Sequence, residues 1–246
     1  MAGVLLKNYI SVVQVVFTLW MYFLGACLLA GAVLPADLLF LHLWNFINPQ
    51  TILQKAFIVA VGMGFGYFIF GLVLMAETIL CRFIFRFKLK EGEHPLFSVE
   101  SFKWAFVNSM ILIVKFTFMD FIKATPFLPF YFRCMGAKVG KGVLINSKDI
   151  GDVSLLDIGD RTVIGGEVVV IAHIAEQGKL KFKKTRIGRN VTVGLGAVLM
   201  PGCDIGDHSI IAARSVLPKN TLVPPYSVFA GSPAKFIRSV ERGASD

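Results

Sequence analysis

Along the last third of the chain the aliphatic positions fall on every sixth residue: Ile187, Val193, Leu199, Ile205, Ile211, Leu217 and Val223. A period of six fits neither a helix at 3.6 nor an ordinary strand at two. It predicts a coil in which each hexad supplies one short strand and three hexads close one triangular turn of about 18 residues. Small side chains follow four residues after the markers, at Val191, Ala197, Cys203, Ser209 and Ser215, where a narrow interior needs them. Glycine stands directly after Ile187, Val193 and Ile205, and the expectation is that a tight corner there uses its freedom in φ.

The first third reads differently. Residues 8–36 and 56–76 carry no charge, and each stretch can cross a bilayer as one helix. A composition of 55% hydrophobic residues with a mean hydropathy of +0.69 is too apolar for a single ordinary soluble domain. The Leu24-Gly25-Ala26-Cys27 stretch looks like a lipoprotein cleavage site, but the apolar run continues to Val33 and only Lys7 precedes it, so it is read as a retained anchor. A loop over 37–55 is expected between the spans. Arg82, Arg86, Lys88 and Lys90 follow the second span and place both chain ends in the cytoplasm. The expected location is the inner or plasma membrane, with the coil facing the cytoplasm.

Residues 102–133 mix Phe102, Trp104, Phe106, Ile111, Phe116, Phe118, Phe121 and Phe127 with Lys103, Lys115, Asp120 and Lys123. The longest uncharged run there, 104–114, is too short to span. An amphipathic helical segment at the membrane interface is expected, ending at Thr125-Pro126 and Leu128-Pro129. The formal net charge is +9, and residues 1–81 balance to zero, so the excess lies beyond the spans. Anionic lipid accounts for it; no nucleic-acid-binding motif accompanies the charge. The four cysteines (Cys27, Cys81, Cys134, Cys203) form no C-x-x-C pair and read as reduced thiols.

The coil begins near Val139-Gly140, slips register around Ile150-Gly151, and resumes at Ile158-Gly159. A second break runs from Ile174 to Arg186 and holds Lys179, Lys181, Lys183, Lys184 and Arg186 against one acid, Glu176. An insertion that long is expected as a loop on the face that builds a site. His173 ends the coil edge where it departs. His42 and His208 are read as structural, and His94 follows the second span.

With these residues in view, 139–238 resembles the hexapeptide-repeat acyltransferases. The stretch from Ile187 through Pro201-Gly202 and Ser209-Ile210-Ile211 to Ala230-Gly231-Ser232-Pro233-Ala234-Lys235-Phe236-Ile237-Arg238 is similar to the sugar O-acetyltransferases that use acetyl-CoA. The resemblance implies a left-handed parallel β-helix, against the usual crossover rule, and typically a homotrimer with sites between subunits. It also implies a catalytic base at His173, which precedes Ile187-Gly188 by 14 residues. An acetyl-CoA or other acyl-CoA co-substrate would touch Gly196 and Ala213 and reach Lys219, Lys235 and Arg238. An acyl carrier protein is left open as donor. Pro218 and Leu195 depart from the family, which has threonine and a small polar residue there. Glu176, Lys179 and Lys181 are the substrate-loop candidates, and Glu176 or a backbone carbonyl is the expected partner of the second imidazole nitrogen. Residues 1–130, with Gly92, His94-Pro95-Leu96 and Thr125-Pro126, more faintly resemble the membrane-plus-coil end of polylysine-type peptide synthetases.

The sequence reading is therefore two transmembrane α-helices (domain 1–90), an interfacial amphipathic segment (91–136) and a left-handed β-helix (137–240). The activity expected is acyl transfer to a hydroxyl or amine of a lipid-linked or amphiphilic acceptor, without a metal. Membrane lipid is the expected partner. The rival readings are a non-catalytic β-helix scaffold and a γ-carbonic-anhydrase-like zinc protein, which would need three converging histidines.

Overall fold

The computed structural model describes residues 2–241; Met1, residues 242–246 and the side chains of residues 2–11, Lys7 among them, lie outside it. Two compact units are present: residues up to Phe85 with Ser109–Phe118, and Arg86–Asn108 with the chain from Met119 on.

The first unit is helical. Helix α1 runs Ala2–Ile47 and α2 runs Ile52–Phe85, and both are long and apolar enough to cross a membrane. The expected loop over 37–55 shrinks to residues 48–51, because Leu38–Ile47 continues the helix with mostly apolar side chains, broken only by His42 and Asn45. Gln54 closes the start of α2, its side-chain oxygen accepting from the backbone amides of Gln50 (2.9 Å) and Thr51 (3.1 Å). Small residues set the approach of the two helices: Gly66 faces Ala36, and a Cβ on Gly62 would meet the Phe40 ring at 2.5 Å. The outward faces stay apolar, with Tyr22, Phe23, Phe46 and Ile52 all exposed.

The coil of the second unit is built on three sheets whose stacked rungs pair in parallel. The first stacks rungs at 144–145, 163–164, 192–193, 210–211 and 227–231; the second 169–170, 198–199 and 216–217; the third 138–139, 156–158, 185–187, 204–205 and 222–223. Val193 pairs with Ile211, Leu199 with Leu217 and Ile205 with Val223, each 18 residues on. All seven aliphatic markers are buried, as are Val191, Ala197, Cys203, Ser209 and Ser215. The six-residue period is thus the spacing of inward-pointing positions.

The glycines after the markers do different work from that expected. Positive φ falls three residues after every marker, at Asn190, Gly196, Gly202, His208, Arg214, Asn220 and Tyr226. Gly188, Gly194 and Gly206 do not have it. They are needed because the next turn lies directly against them: a Cβ on Gly194 would come within 2.5 Å of the Ala213 amide nitrogen, and one on Gly206 within 2.5 Å of Pro225 N.

The 102–133 segment breaks into three helices, α3 (Val99–Thr117), α4 (Met119–Ile122) and α5 (Phe127–Cys134). Ser98 precedes α3, its Oγ accepting from the Ser101 amide at 3.3 Å, and Glu100 pairs with Lys103 at 2.8 Å. Leu128-Pro129 does not end a helix. It lies in the first turn of α5, where a missing N–H costs nothing.

Candidate active site at the first coil break

The 174–186 insertion is an ordered hairpin rather than a loop. Strands His173–Glu176 and Lys179–Phe182 pair antiparallel, joined by Gln177 and Gly178 at φ of 52° and 73°. Two consecutive positive φ values match the turn whose twist suits a two-residue hairpin connection. Strand Gly92–Pro95 pairs with the outer edge, opposing Glu93 to Lys181 and His94 to Leu180.

Alternation along these strands sorts the side chains onto two faces. His173, opposite Phe182, shares its face with Leu180 and His94. Glu176, Lys179 and Lys181 share the other with Ile174 and Glu93. The substrate-loop candidates therefore point away from His173. They are also engaged: Lys179 and Lys181 reach Glu93 at 2.9 and 3.3 Å, and Lys219 reaches Glu176 at 2.5 Å. The Lys219 hydrogen bond, with Lys181 nearby, holds the Glu176 carboxyl below its ordinary pKa. That face borders a groove of about 540 Å³ lined by Glu91, Ile174, Lys181, Lys183, Lys219 and Asn220.

The partner of His173 is Asp152, not the expected Glu176 or a backbone carbonyl. Asp152 sits in the register slip, in left-handed backbone at φ 50°, ψ 39°, and opens a 3-10 turn over Val153–Leu155. An Asp tolerates that conformation better than most residues. Its carboxylate is completely buried and His173 is 29% exposed, with Nδ1 of His173 lying 2.5 Å from Asp152 Oδ2. The same oxygen accepts the Ala172 amide at 2.9 Å. Oδ1 accepts the Trp104 indole N–H at 2.7 Å and the Asn108 amide at 3.1 Å. The Trp104 ring lies 4.8 Å from the imidazole, centroid to centroid. Burial alone would push the Asp152 pKa up. The hydrogen bond and charge of His173, then the Ala172 amide and the Trp104 indole, outweigh it and hold the carboxyl below the usual carboxylate range.

A neutral imidazole that donates from Nδ1 has its lone pair on Nε2. The pair can thus accept a proton at Nε2 while the carboxylate stabilises the charge that results. The signal that could have found Asp152 was its place: an acid one residue after the Ile150-Gly151 slip, where a coil that breaks its period has a reason to do so. Nothing in the pattern marked Trp104 or Asn108.

The remaining candidates lie elsewhere on the coil. Gly196, at φ 65°, donates its amide to Gly166 at 2.9 Å and sits with Ala213 on the edge between the first and second sheets. His173 and Lys219 leave the edge between the second and third. Lys235 and Arg238 are exposed on Ala234–Ser239, which runs antiparallel to the last rung. One chain does not gather all of them at one place. Among the described residues no three His, Cys, Asp or Glu side chains come together as metal ligands. His208 stacks on Tyr226 at 4.6 Å, in keeping with a structural role.

The profile of the bacterial transferase hexapeptide (six repeats) family matches residues 184–219. Delta-poly-L-ornithine synthetase of Acinetobacter baumannii is 26% identical over 117 residues, covering 48% of this chain and 9% of that one. Galactoside O-acetyltransferase of Escherichia coli is 30% identical over 115 residues, covering 41% and 56%. The chain thus spans less than two thirds of either relative. A solved hexapeptide-repeat acetyltransferase from Vibrio cholerae overlays 55% of this chain and 92% of its own at 20% identity, with a TM-score of 0.43. The coil of this protein carries the hexapeptide transferase repeat and resembles the hexapeptide-repeat acetyltransferases.

Proposed function

We propose that this protein is a membrane-anchored acyltransferase that moves an acetyl or longer acyl group from a CoA thioester to a hydroxyl or amine. The observation that carries the reading is the 2.5 Å contact between His173 Nδ1 and the buried Asp152 carboxylate, formed where the coil opens. The acceptor oxygen or nitrogen attacks the thioester carbonyl and gives its proton to His173 Nε2. The tetrahedral oxyanion is met by a backbone N–H of a neighbouring turn. Collapse breaks the carbon–sulfur bond, and the leaving thiolate takes the proton back from His173. Asp152 stays ionised throughout and steadies the imidazolium.

The coil winds left-handed in this reading, and three copies assemble. Two outer faces support assembly by being apolar: Leu144, Val163, Ile210 and Val228 point outward on the first sheet, Val169, Val198 and Val216 on the second. The third carries charge, with Arg186 3.6 Å from Asp204 and Lys184 2.9 Å from Asp157. In this reading the site lies between copies, with the His173 edge of one facing the Gly196–Ala213 edge of the next. CoA then lies between copies, its phosphates near Lys219, Lys235 and Arg238. An acyl carrier protein could present the same thioester.

Exposed Phe, Leu and Val along α1 and α2 would be unfavourable in water and suit lipid. An acceptor that is itself lipid-linked or amphiphilic explains the anchor, with the coil on the cytoplasmic side. The test is mass spectrometry of lipids and envelope glycans from cells carrying the wild-type gene, no gene, or the His173→Ala allele. One acylated species should vanish in the last two. A phenotype preserved by His173→Ala would instead identify a non-catalytic scaffold.

A further inference from the structure

Asp152 is held from two directions. The coil gives it the Ala172 amide and His173 on Oδ2; helix α3 gives it Trp104 and Asn108 on Oδ1, at 2.7 and 3.1 Å. Trp104 and Asn108 stand four residues apart and so project from one side of α3. A carboxylate has about four acceptor positions, and here every one is occupied. The Asn108 side-chain oxygen also faces the Asp152 amide, at a long 3.4 Å. Four donors on two oxygens leave the group no rotation that keeps them all.

This matters because an imidazole in water favours the tautomer with its proton on Nε2. A base for acyl transfer needs the other one. With Oδ1 satisfied from α3, Oδ2 remains turned to His173 and draws the proton to Nδ1. The Trp104 ring lies 4.8 Å from the imidazole, tilted by 57° against it. The indole N–H therefore fixes the acid while the ring packs beside the base.

We propose that Trp104 and Asn108 are positioning residues for His173, clamping Asp152 so that the imidazole carries its proton on Nδ1 and presents a bare Nε2. This deepens the acyl-transfer reading and rests on it for its purpose, but the clamp itself can be tested without any acceptor. It also assigns α3, which lies outside the coil, a part in the site.

The experiment is 15N NMR of the full chain in nanodiscs, labelled at histidine and read at about pH 9, where imidazole is neutral. The chain has four histidines, and His173→Gln identifies the signal of interest. In the wild type His173 is expected as the Nδ1–H tautomer. Trp104→Phe keeps a ring and removes the donor; Asn108→Ala removes the other donor. Each should raise the ratio of Nε2–H to Nδ1–H by roughly tenfold, the worth of one hydrogen bond to a buried charge. His208, stacked on Tyr226, should keep its wild-type spectrum and so reports that the coil is intact. If Trp104→Phe fails to accumulate, Asn108→Ala decides alone. An unchanged tautomer ratio at His173 with the His208 signal intact overturns the proposal. Loss of acyl transfer in cells without a tautomer change would leave the function standing and remove the clamp.

Discussion

Asp152 and His173 are 21 residues apart in sequence and 2.5 Å apart in space, joined because one closes the register slip and the other opens the hairpin. Both interruptions of the six-residue period leave the coil at neighbouring turns, where Ile150 bridges to Val170. The departures from regularity are thus a pair, and the candidate site lies between them.

Replacing His173 by Ala should reduce acyl transfer by a factor of about 10²–10⁴, the usual worth of a positioned general base. Because the side chain is partly exposed, the fold should survive. Product by mass spectrometry and far-UV circular dichroism, read together, check this.

Asp152→Asn keeps the shape and inverts the chemistry. Its NH₂ would face the Ala172 amide and His173, and would favour the tautomer with Nε2 protonated. A loss of about 10²–10⁴-fold in transfer is expected, as when the acid that orients a catalytic histidine is made an amide.

The same substitution should change the acid limb of stability. Asp152 has a depressed pKa in the folded chain, so its contribution is complete above an unfolded value of about 3.9 and is lost as pH falls through the lower folded value. Melting temperatures measured between pH 6 and pH 2.5 should therefore fall more steeply for the wild type than for Asp152→Asn. Parallel curves would show that the carboxylate is not held as described.

Gly194→Ala should destabilise the coil by about 1–3 kcal/mol or more, since its Cβ would press on backbone that has no room to move, 2.5 Å from the Ala213 nitrogen. Gly178→Ala, in open space at φ 73°, should cost only the left-handed strain of about 1 kcal/mol. Thermal melts of the two variants test the distinction between close approach and φ.

Lys219→Ala removes an exposed partner of Glu176, and such pairs add little to stability. The melting temperature should hold. Affinity for CoA, measured by calorimetry, should fall roughly tenfold if the lysine meets a phosphate. Unaltered affinity would take Lys219 out of the thioester site.

Much of this was legible in the chain. The markers from Ile187 to Val223 named the interior, because each side of a three-sided turn points its large aliphatic residue inward once every six residues, with a small one at the corner. The uncharged runs named the long helices. The pattern was silent on Pro129, which a first helical turn accommodates, and it misplaced the role of Gly188, Gly194 and Gly206. What those residues need is set by the turn stacked on them, 18 or 19 residues away, and local preference does not carry it.

Sequence alone, then, determined the repeat, its inward residues and the apolar helices, and singled out His173 as the candidate base, since each depends on short-range periodicity and residue chemistry. Tertiary structure decided that Asp152 rather than Glu176 serves that histidine, that the basic hairpin turns its lysines to the opposite face, and that α3 reaches the site. Those are facts of register and strand alternation: a shift of one residue reverses which side a side chain takes, and only the paired backbone fixes it.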